Sequence, residues 1–180
     1  MNILKTIIEK KKREVADNKC RKSIADLKQE RLFKNETLSF KDFLLRKDKT
    51  GIIAEFKRRS PSKGIINGTS TVAEVTSDYV KYGASAISIL TDKEFFGGSL
   101  NDLSEGTVHG VPILRKEFIV DEYQVIESKA YGADIILLIA ACLSEEEVKR
   151  FSRLAKSIGL NTLLEIHNEQ RSEEHTSELQ

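Results

Sequence analysis

Five short apolar segments that alternate with helical segments most restrict the fold of this chain. They lie near residues 52–56, 86–90, 112–116, 135–140 and 161–166. Each contains adjacent apolar residues, and residues 135–140 are apolar throughout, which is typical of strands buried on both faces of a parallel sheet. A weak repeat supports the alternation, since Tyr82-Gly83-Ala84 and Tyr131-Gly132-Ala133 each precede an apolar segment. The pattern predicts an α/β fold with a parallel sheet that is covered on both faces.

The helical segments between the strands begin with capping residues. Thr71 with Glu74 and Ser144 with Glu147 fit the capping box, and Asp121 can cap a third helix. Glycines mark the ends of these three helices: Gly83, Gly132 and Gly159. The connection between the second and third strands is the least regular and contains Gly97-Gly98.

Helices are also predicted before the first strand. Apolar residues from Leu4 to Val15 recur at helical spacing among charged residues, and residues 23–31 could form a short second helix. Ser39 with Asp42 predicts the start of a third. We therefore expect an N-terminal helical extension over residues 1–50 and a sheet domain over residues 51–170.

Polar residues follow four of the five predicted strands. The pairs are Glu55/Lys57, Thr91/Asp92, Lys116/Glu117 and Glu165/His167. In a TIM (β/α)8 barrel, strand C-terminal ends form one ring around the active site, whereas an open sheet binds ligands at one switch point. Periodicity alone leaves both folds open, but the distribution of polar residues favours the barrel.

Residues 52–64 (IIAEFKRRSPSKG) combine a strand with a charged loop. Glu55 and Lys57 stand two positions apart, so on a strand they point to the same side and must pair or face a polar cavity. Ser60 opens a tight loop that ends at Gly64, near the cations Arg58, Arg59 and Lys63. Such a loop suits an anionic ligand.

The bulk composition excludes several classes of protein. The 180 residues are 39% hydrophobic and 32% charged, enough for one domain, and the net charge of +1 gives no basic field for nucleic acid or an anionic membrane. No apolar run resembles a signal peptide or a membrane span, so a cytoplasmic location is expected. Cys20 and Cys142 fit reduced thiols, and the three histidines form no metal-binding pair.

Four stretches carry a resemblance to one family. They are residues 52–64, residues 90–100 (LTDKEFFGGSL), residues 114–124 (LRKEFIVDEYQ) and residues 164–167 (LEIH). In this order they resemble the indole-3-glycerol phosphate synthases of tryptophan biosynthesis, and the similarity runs from the N-terminus to about Gln170. Glu117 is a mild departure, because the family usually has aspartate there. The resemblance implies a TIM barrel, of which this chain holds strands one to five.

The resemblance also implies roles for individual residues. The family closes the indole ring of 1-(2-carboxyphenylamino)-1-deoxyribulose 5-phosphate with loss of carbon dioxide and water, and it uses no cofactor. Lys116 would be the general acid and Glu165 the general base, with Glu55 and Lys57 as a charged pair and Lys57 also meeting the substrate carboxylate. The substrate-binding residues would be Ser60 at the phosphate and, as an apolar wall for the benzene ring, Phe96, Phe118 and Leu137.

The end of the chain breaks the pattern. A (β/α)8 domain typically has about 250 residues, and three further strand–helix units are expected in the family. Residues 171–180 resemble the translation of a sequencing-adapter oligonucleotide, so we expect an artefactual tail. The chain is therefore interpreted as a C-terminally truncated synthase that is inactive alone, and the full-length protein as monomeric or fused to a neighbouring pathway enzyme.

Two alternatives stay open. One is another phosphate-binding barrel such as phosphoribosylanthranilate isomerase, which gives no reason for the long N-terminal helices. The other is a non-catalytic half-barrel that self-associates through its exposed strand edges. In the enzymatic interpretations the partner is a small phosphorylated substrate, with neither nucleic acid nor membrane involved.

Overall fold

A computed structural model describes residues 3–166 of the chain. The first part is helical, as expected: α1 (Ile3–Arg21), α2 (Ile24–Gln29), a 3-10 turn (Arg31–Lys34) and α3 (Phe40–Leu44). The hydroxyl of Ser39 accepts the Asp42 N–H and so caps α3, which confirms the predicted start of that helix.

A parallel sheet follows. Its strands are β1 (Ile53–Phe56), β4 (Ala86–Leu90), β5 (Ile113–Lys116), β6 (Ile135–Ile139) and β7 (Asn161–Glu165). Their order in the sheet is their order in the chain, and every neighbouring pair is parallel. A doubly wound open sheet reverses its order at a switch point. This sheet has no reversal among the described residues, so it has the order of the first five strands of a (β/α)8 barrel.

Helices connect the strands of the sheet. They are α4 (Val72–Lys81), α5 (Lys93–Phe96), α6 (Leu100–Gly106), α7 (Glu122–Ala130) and α8 (Glu145–Ser157), with a 3-10 turn at Thr107–His109. Complete capping boxes begin α4 and α8, and Asp121 accepts the Tyr123 N–H at the start of α7. The predicted terminal glycines Gly83 and Gly132 have φ near +87°, a conformation that other residues rarely adopt.

The two faces of the sheet bury different groups. Ile87, Ile89, Ile136 and Leu138 face the helices and form the main core with residues such as Phe151 of α8. On the other face, a cluster made by Ala86, Leu114, Ile135, Leu137 and Ile139 packs against Phe40 of α3 and Phe118. This second face becomes the interior of a barrel when a sheet of this kind closes.

A short hairpin is the main addition to the predicted elements. β2 (Arg59–Ser60) pairs antiparallel with β3 (Gly64–Ile65), in the stretch that was expected to be a loop. The turn is tight, as predicted, and its residues 60–64 are mostly exposed. His167 and residues 171–180 lie outside the described residues, so the ring position predicted for His167 and the interpretation of the tail stay predictions.

Candidate active site

Lys116 and Glu165 lie side by side at the carboxyl ends of two strands. Lys116 is the last residue of β5 and Glu165 the last residue of β7, with β6 between them. The Lys116 ammonium donates to Glu165 Oε2 at 3.1 Å, and both side chains are about one third exposed, at 33% and 30%. The predicted acid and base are therefore brought together, although they are far apart in the chain.

Glu55 and Lys57 form a second ion pair at the end of β1. Lys57 Nζ lies 2.8 Å from Glu55 Oε1, and each side chain is 33% exposed. The pairing predicted from strand parity is confirmed. Tyr79 of α4 donates its hydroxyl to the backbone carbonyl of Glu55 and fixes the strand at this point.

One cavity collects most of the predicted site residues. It lies at the carboxyl ends of β1, β4, β5 and β6 and has a volume of about 210 Å³. Six of the eight predicted residues line it: Glu55, Lys57, Phe96, Lys116, Phe118 and Leu137. Leu90 and Ile139, which the sequence reasoning missed, line it as well. Strand parity could have identified them, because each stands two positions from another interior-facing residue of its strand.

An aromatic wall closes one side of this cavity. The rings of Phe96 and Phe118 have centroids 6.3 Å apart and planes tilted by 34°. Phe96 is the last residue of α5, and Phe118 follows β5 by two residues. Leu137, only 2% exposed, adds an aliphatic surface from β6. The cavity thus joins an apolar wall to two ion pairs, an arrangement suited to an aromatic acid.

Ser60 stands apart from this cavity. It lies on the β2–β3 hairpin, where its hydroxyl accepts the Lys63 N–H at 3.2 Å, and it is not among the residues that line the cavity. Arg58 donates to both carboxylate oxygens of Asp102, and Arg59 donates to backbone carbonyls of α5. Both guanidinium groups therefore bind acceptors within the protein. The phosphate role of Ser60 stays a prediction.

A buried ionic network beside the cavity was missed by the sequence reasoning. Lys11 of α1 is 2% exposed and lies 2.9 Å from Asp92 Oδ2, 3.2 Å from Glu117 Oε1 and 2.8 Å from Glu14. Asp92 and Glu117 also line the cavity. The sequence does hold a signal, because Lys11 is four residues from both Ile7 and Val15 and so shares their buried helix face.

The charges of this network depend on one another. Burial lowers the pKa of Lys11, but the Glu117 and Asp92 carboxylates more than offset this, so the pKa of Lys11 lies above its usual value. Burial raises the pKa of the Glu117 carboxyl, against the opposing effect of Lys11 and Arg115. Removing the lysine charge would therefore leave two buried carboxylates close to each other.

Arg115 continues the network behind the sheet. Its guanidinium, 3% exposed, donates to Thr91 Oγ1 at 3.1 Å, to Ser128 Oγ at 3.1 Å and to Glu127 Oε2 at 2.9 Å. Glu127 and Ser128 belong to α7, so these bonds fix α7 against β4 and β5. Arg115 is consequently a structural cation that points away from the neighbouring Lys116.

The described residues contain neither a metal-binding cluster nor a membrane-spanning helix. Within residues 3–166, no cluster of three or more His, Cys, Asp or Glu side chains is arranged to hold a metal ion. None of the described helices is both long enough and apolar enough to cross a bilayer. Cys20 is exposed and Cys142 half-buried, and the two cysteines form no disulfide with each other.

Comparisons with known proteins agree with the resemblance. The model of the family "Indole-3-glycerol phosphate synthase" matches residues 4–179. Relatives with that name include proteins from Bacteroides thetaiotaomicron (46% identical over 168 residues, 93% of this chain and 64% of the relative) and Polaromonas naphthalenivorans (39% over 172 residues, 93% and 65%). The relative from Acinetobacter baylyi is 38% identical over 174 residues, covering 95% of this chain and 64% of its own length. The chain thus spans a little under two thirds of the length of these relatives.

Proposed function

Because this chain belongs to the indole-3-glycerol phosphate synthase family, we propose that it supplies the acid–base centre of an enzyme that closes an indole ring. The substrate is 1-(2-carboxyphenylamino)-1-deoxyribulose 5-phosphate. A ring carbon attacks the ketone and forms a carbon–carbon bond, carbon dioxide leaves, and the hydroxyl that the ketone has become departs as water. The product is indole-3-glycerol phosphate.

Lys116 and Glu165 divide the proton transfers of this reaction. Lys116 donates a proton to the carbonyl oxygen as the ring carbon attacks, which prevents an alkoxide from accumulating. In the dehydration, Glu165 accepts the proton that the new five-membered ring gives up as its double bond forms, and a proton delivered to the hydroxyl through Lys116 lets that group leave as water. The 3.1 Å contact between the two side chains supports these roles, since one proton can pass directly between them.

The cavity gives the aromatic part of the substrate a place to bind. An apolar cavity of about 150 Å³ accepts benzene in another protein, so the volume of about 210 Å³ has room for one such ring. Phe96, Phe118 and Leu137 would contact the ring faces, and Lys57 would pair with the carboxylate that is later lost. Ser60 would contribute to the phosphate site from the hairpin.

The single observation that carries this proposal is that Lys116 lines one cavity with the aromatic wall while its ammonium binds Glu165. A cytoplasmic location, and a full-length protein that is monomeric or fused to a neighbouring enzyme, belong to the same proposal. They are expected of a pathway enzyme that acts on a small phosphorylated substrate.

The test uses the complete protein that contains this chain. Incubation with the carboxyphenylamino substrate should give indole-3-glycerol phosphate, followed by indole fluorescence, together with one carbon dioxide per product. Phosphoribosylanthranilate, the substrate of the alternative isomerase, should remain unchanged in a parallel reaction with a complete protein that carries no fused second enzyme. Conversion of phosphoribosylanthranilate without indole formation would contradict the proposal.

A further inference from the structure

Lys11 occupies an unusual position for a lysine on a surface helix. The residues next to it, Lys10 and Lys12, are exposed, whereas Lys11 is 2% exposed and points at the carboxyl ends of β4 and β5. A buried ammonium requires partners for its charge and its donors. Lys11 finds them in Asp92, two residues after the end of β4, and Glu117, the residue after β5.

Asp92 connects Lys11 to the first phenylalanine of the wall. Its Oδ2 lies 2.9 Å from the Lys11 ammonium, while its Oδ1 accepts the Phe95 N–H at 2.7 Å. This second bond caps α5, a helix of four residues that ends at Phe96. So short a helix has little stability of its own, so the cap fixes the position of Phe96.

Glu117 connects Lys11 to the second phenylalanine. Its Oε1 lies 3.2 Å from the Lys11 ammonium and accepts the Phe118 N–H at 2.9 Å. Its Oε2 accepts the Thr91 hydroxyl at 2.8 Å, so both carboxylate oxygens are bonded within the protein. One lysine therefore holds two carboxylates, and each carboxylate binds a backbone N–H next to, or at, an aromatic residue of the cavity.

We propose that Lys11 is a positioning residue for the aromatic wall of the cavity, acting through Asp92 on Phe96 and through Glu117 on Phe118. The expected effect on catalysis rests on the proposed function, whereas the expected effect on the positions of Phe96 and Phe118 does not. Without the ammonium, two buried carboxylates repel each other and draw in water or another cation. The hydrogen bonds from the Phe95 and Phe118 N–H groups to these carboxylates then weaken. The rings of Phe96 and Phe118 lose the fixed spacing that binding of the substrate ring requires.

Amide hydrogen exchange tests the structural part without any substrate. In Lys11→Met, the Phe95 and Phe118 amides should exchange at least about tenfold faster than in wild type. The Tyr123 amide should keep its exchange rate, because its N–H binds the carboxylate of Asp121 and not a partner of Lys11. Lys12→Met is the matched control, since it makes the same change at the next, exposed position. Lys11→Arg should keep both amides protected, because it retains the charge.

A second variant keeps the test decisive if Lys11→Met does not fold. Asp92→Asn removes one carboxylate charge and leaves a single oxygen, for which the Lys11 ammonium and the Phe95 N–H must compete. The Phe95 amide should then exchange faster than in wild type, and the Phe118 amide should change less. Equal rates in wild type and Asp92→Asn, or equal acceleration of Phe95, Phe118 and Tyr123 in Lys11→Met, would overturn the inference.

Kinetics test the catalytic part in the complete protein. Per folded molecule, Lys11→Met should lower kcat/KM by up to about 100-fold, the scale expected when reacting groups are displaced by about 1 Å, with KM rising because the ring is held less well. Lys11→Arg should restore most of the loss, and Lys12→Met should match wild type. If wild type itself makes no product, the proposed function fails and amide exchange still decides the inference. If wild type is active and Lys11→Met has the same kinetics, the inference fails alone.

Discussion

Neighbouring leucines on β6 allow the position of the cavity to be tested with a matched pair of substitutions. Leu137 is 2% exposed and lines the cavity together with the interior-facing cluster of the sheet. Leu138 is completely buried and belongs to the cluster that faces the helices. Adjacent residues of a strand point to opposite faces, so the same change at each position probes two different surfaces.

The magnitudes follow from what surrounds each leucine. Leu→Ala removes three carbon atoms, worth about 2.4 kcal/mol at ~0.8 kcal/mol per methylene, and core Leu→Ala changes cost about 2.7–5 kcal/mol once the cavity left behind is included. Leu138 is enclosed by core residues, so Leu138→Ala should cost about 4 kcal/mol. Leu137 borders an existing cavity, where water or substrate can occupy the vacated space. Leu137→Ala should therefore cost only about 2.5 kcal/mol.

Substrate affinity should show the opposite order. Leu137→Ala removes contacts to the benzene ring worth up to about 2 kcal/mol, which corresponds to a KM increase of roughly 10- to 30-fold. Leu138→Ala should leave KM within about twofold of wild type, because it touches only the helix-facing core.

Urea unfolding and initial-rate kinetics on the complete protein measure both quantities. If Leu138→Ala raised KM as much as Leu137→Ala, the cavity would not be the ring-binding site. Equal losses of stability in the two variants would instead contradict the claim that Leu138 is enclosed by core residues whereas Leu137 borders a cavity.

Three further predictions concern other parts of the structure. Lys57→Met should raise KM by roughly 10- to 100-fold, which corresponds to the loss of a charge-assisted hydrogen bond. It should change the urea midpoint little, because the ion pair of Lys57 with Glu55 is one third exposed. A large loss of stability with unchanged KM would contradict the substrate-binding role of Lys57. Burial raises the pKa of Tyr123 to about 12, so the folded state keeps a proton that the unfolded state loses above about pH 10. Stability should fall between about pH 10 and 12 in wild type, and this fall should be smaller in Tyr123→Phe, as measured by urea unfolding across that range. Residues 1–180 expressed alone should give no product. They should also form oligomers detectable by light scattering, because β1 and β7 are the outer strands of the described sheet and their outer edges can pair with another chain. A soluble, active monomer would refute this prediction.

The strands and helix ends could be predicted from the sequence because their signals are local. All five strands of the sheet are found within two residues of the predicted bounds. The capping boxes at Thr71 and Ser144 form as predicted, since the two residues of each box are only three positions apart. Strand parity likewise sufficed to place Glu55 and Lys57 on one side.

Contacts between distant parts of the chain could not be predicted in this way. Lys11 looks like one of many exposed lysines in a charged helix, and its burial depends on carboxylates more than eighty residues further along the chain. The 3.1 Å contact of Lys116 with Glu165 depends on the order of the strands in the sheet, in which β5 and β7 lie on either side of β6. The acceptors that Arg58 and Arg59 bind are similarly remote in sequence, so these contacts could not be predicted either.

The central claim is that Lys116 donates the proton to the carbonyl oxygen, and the turnover of Lys116→Ala tests it most directly. Single-turnover rates of the complete protein should fall by roughly 10²- to 10⁴-fold, the usual contribution of general acid–base catalysis. Substrate affinity should fall much less, because the aromatic wall and Lys57 are untouched. Lys156→Ala, at an exposed position of α8 remote from the cavity, should match wild type. A Lys116→Ala protein that turns over substrate within a few-fold of wild type would contradict the claim.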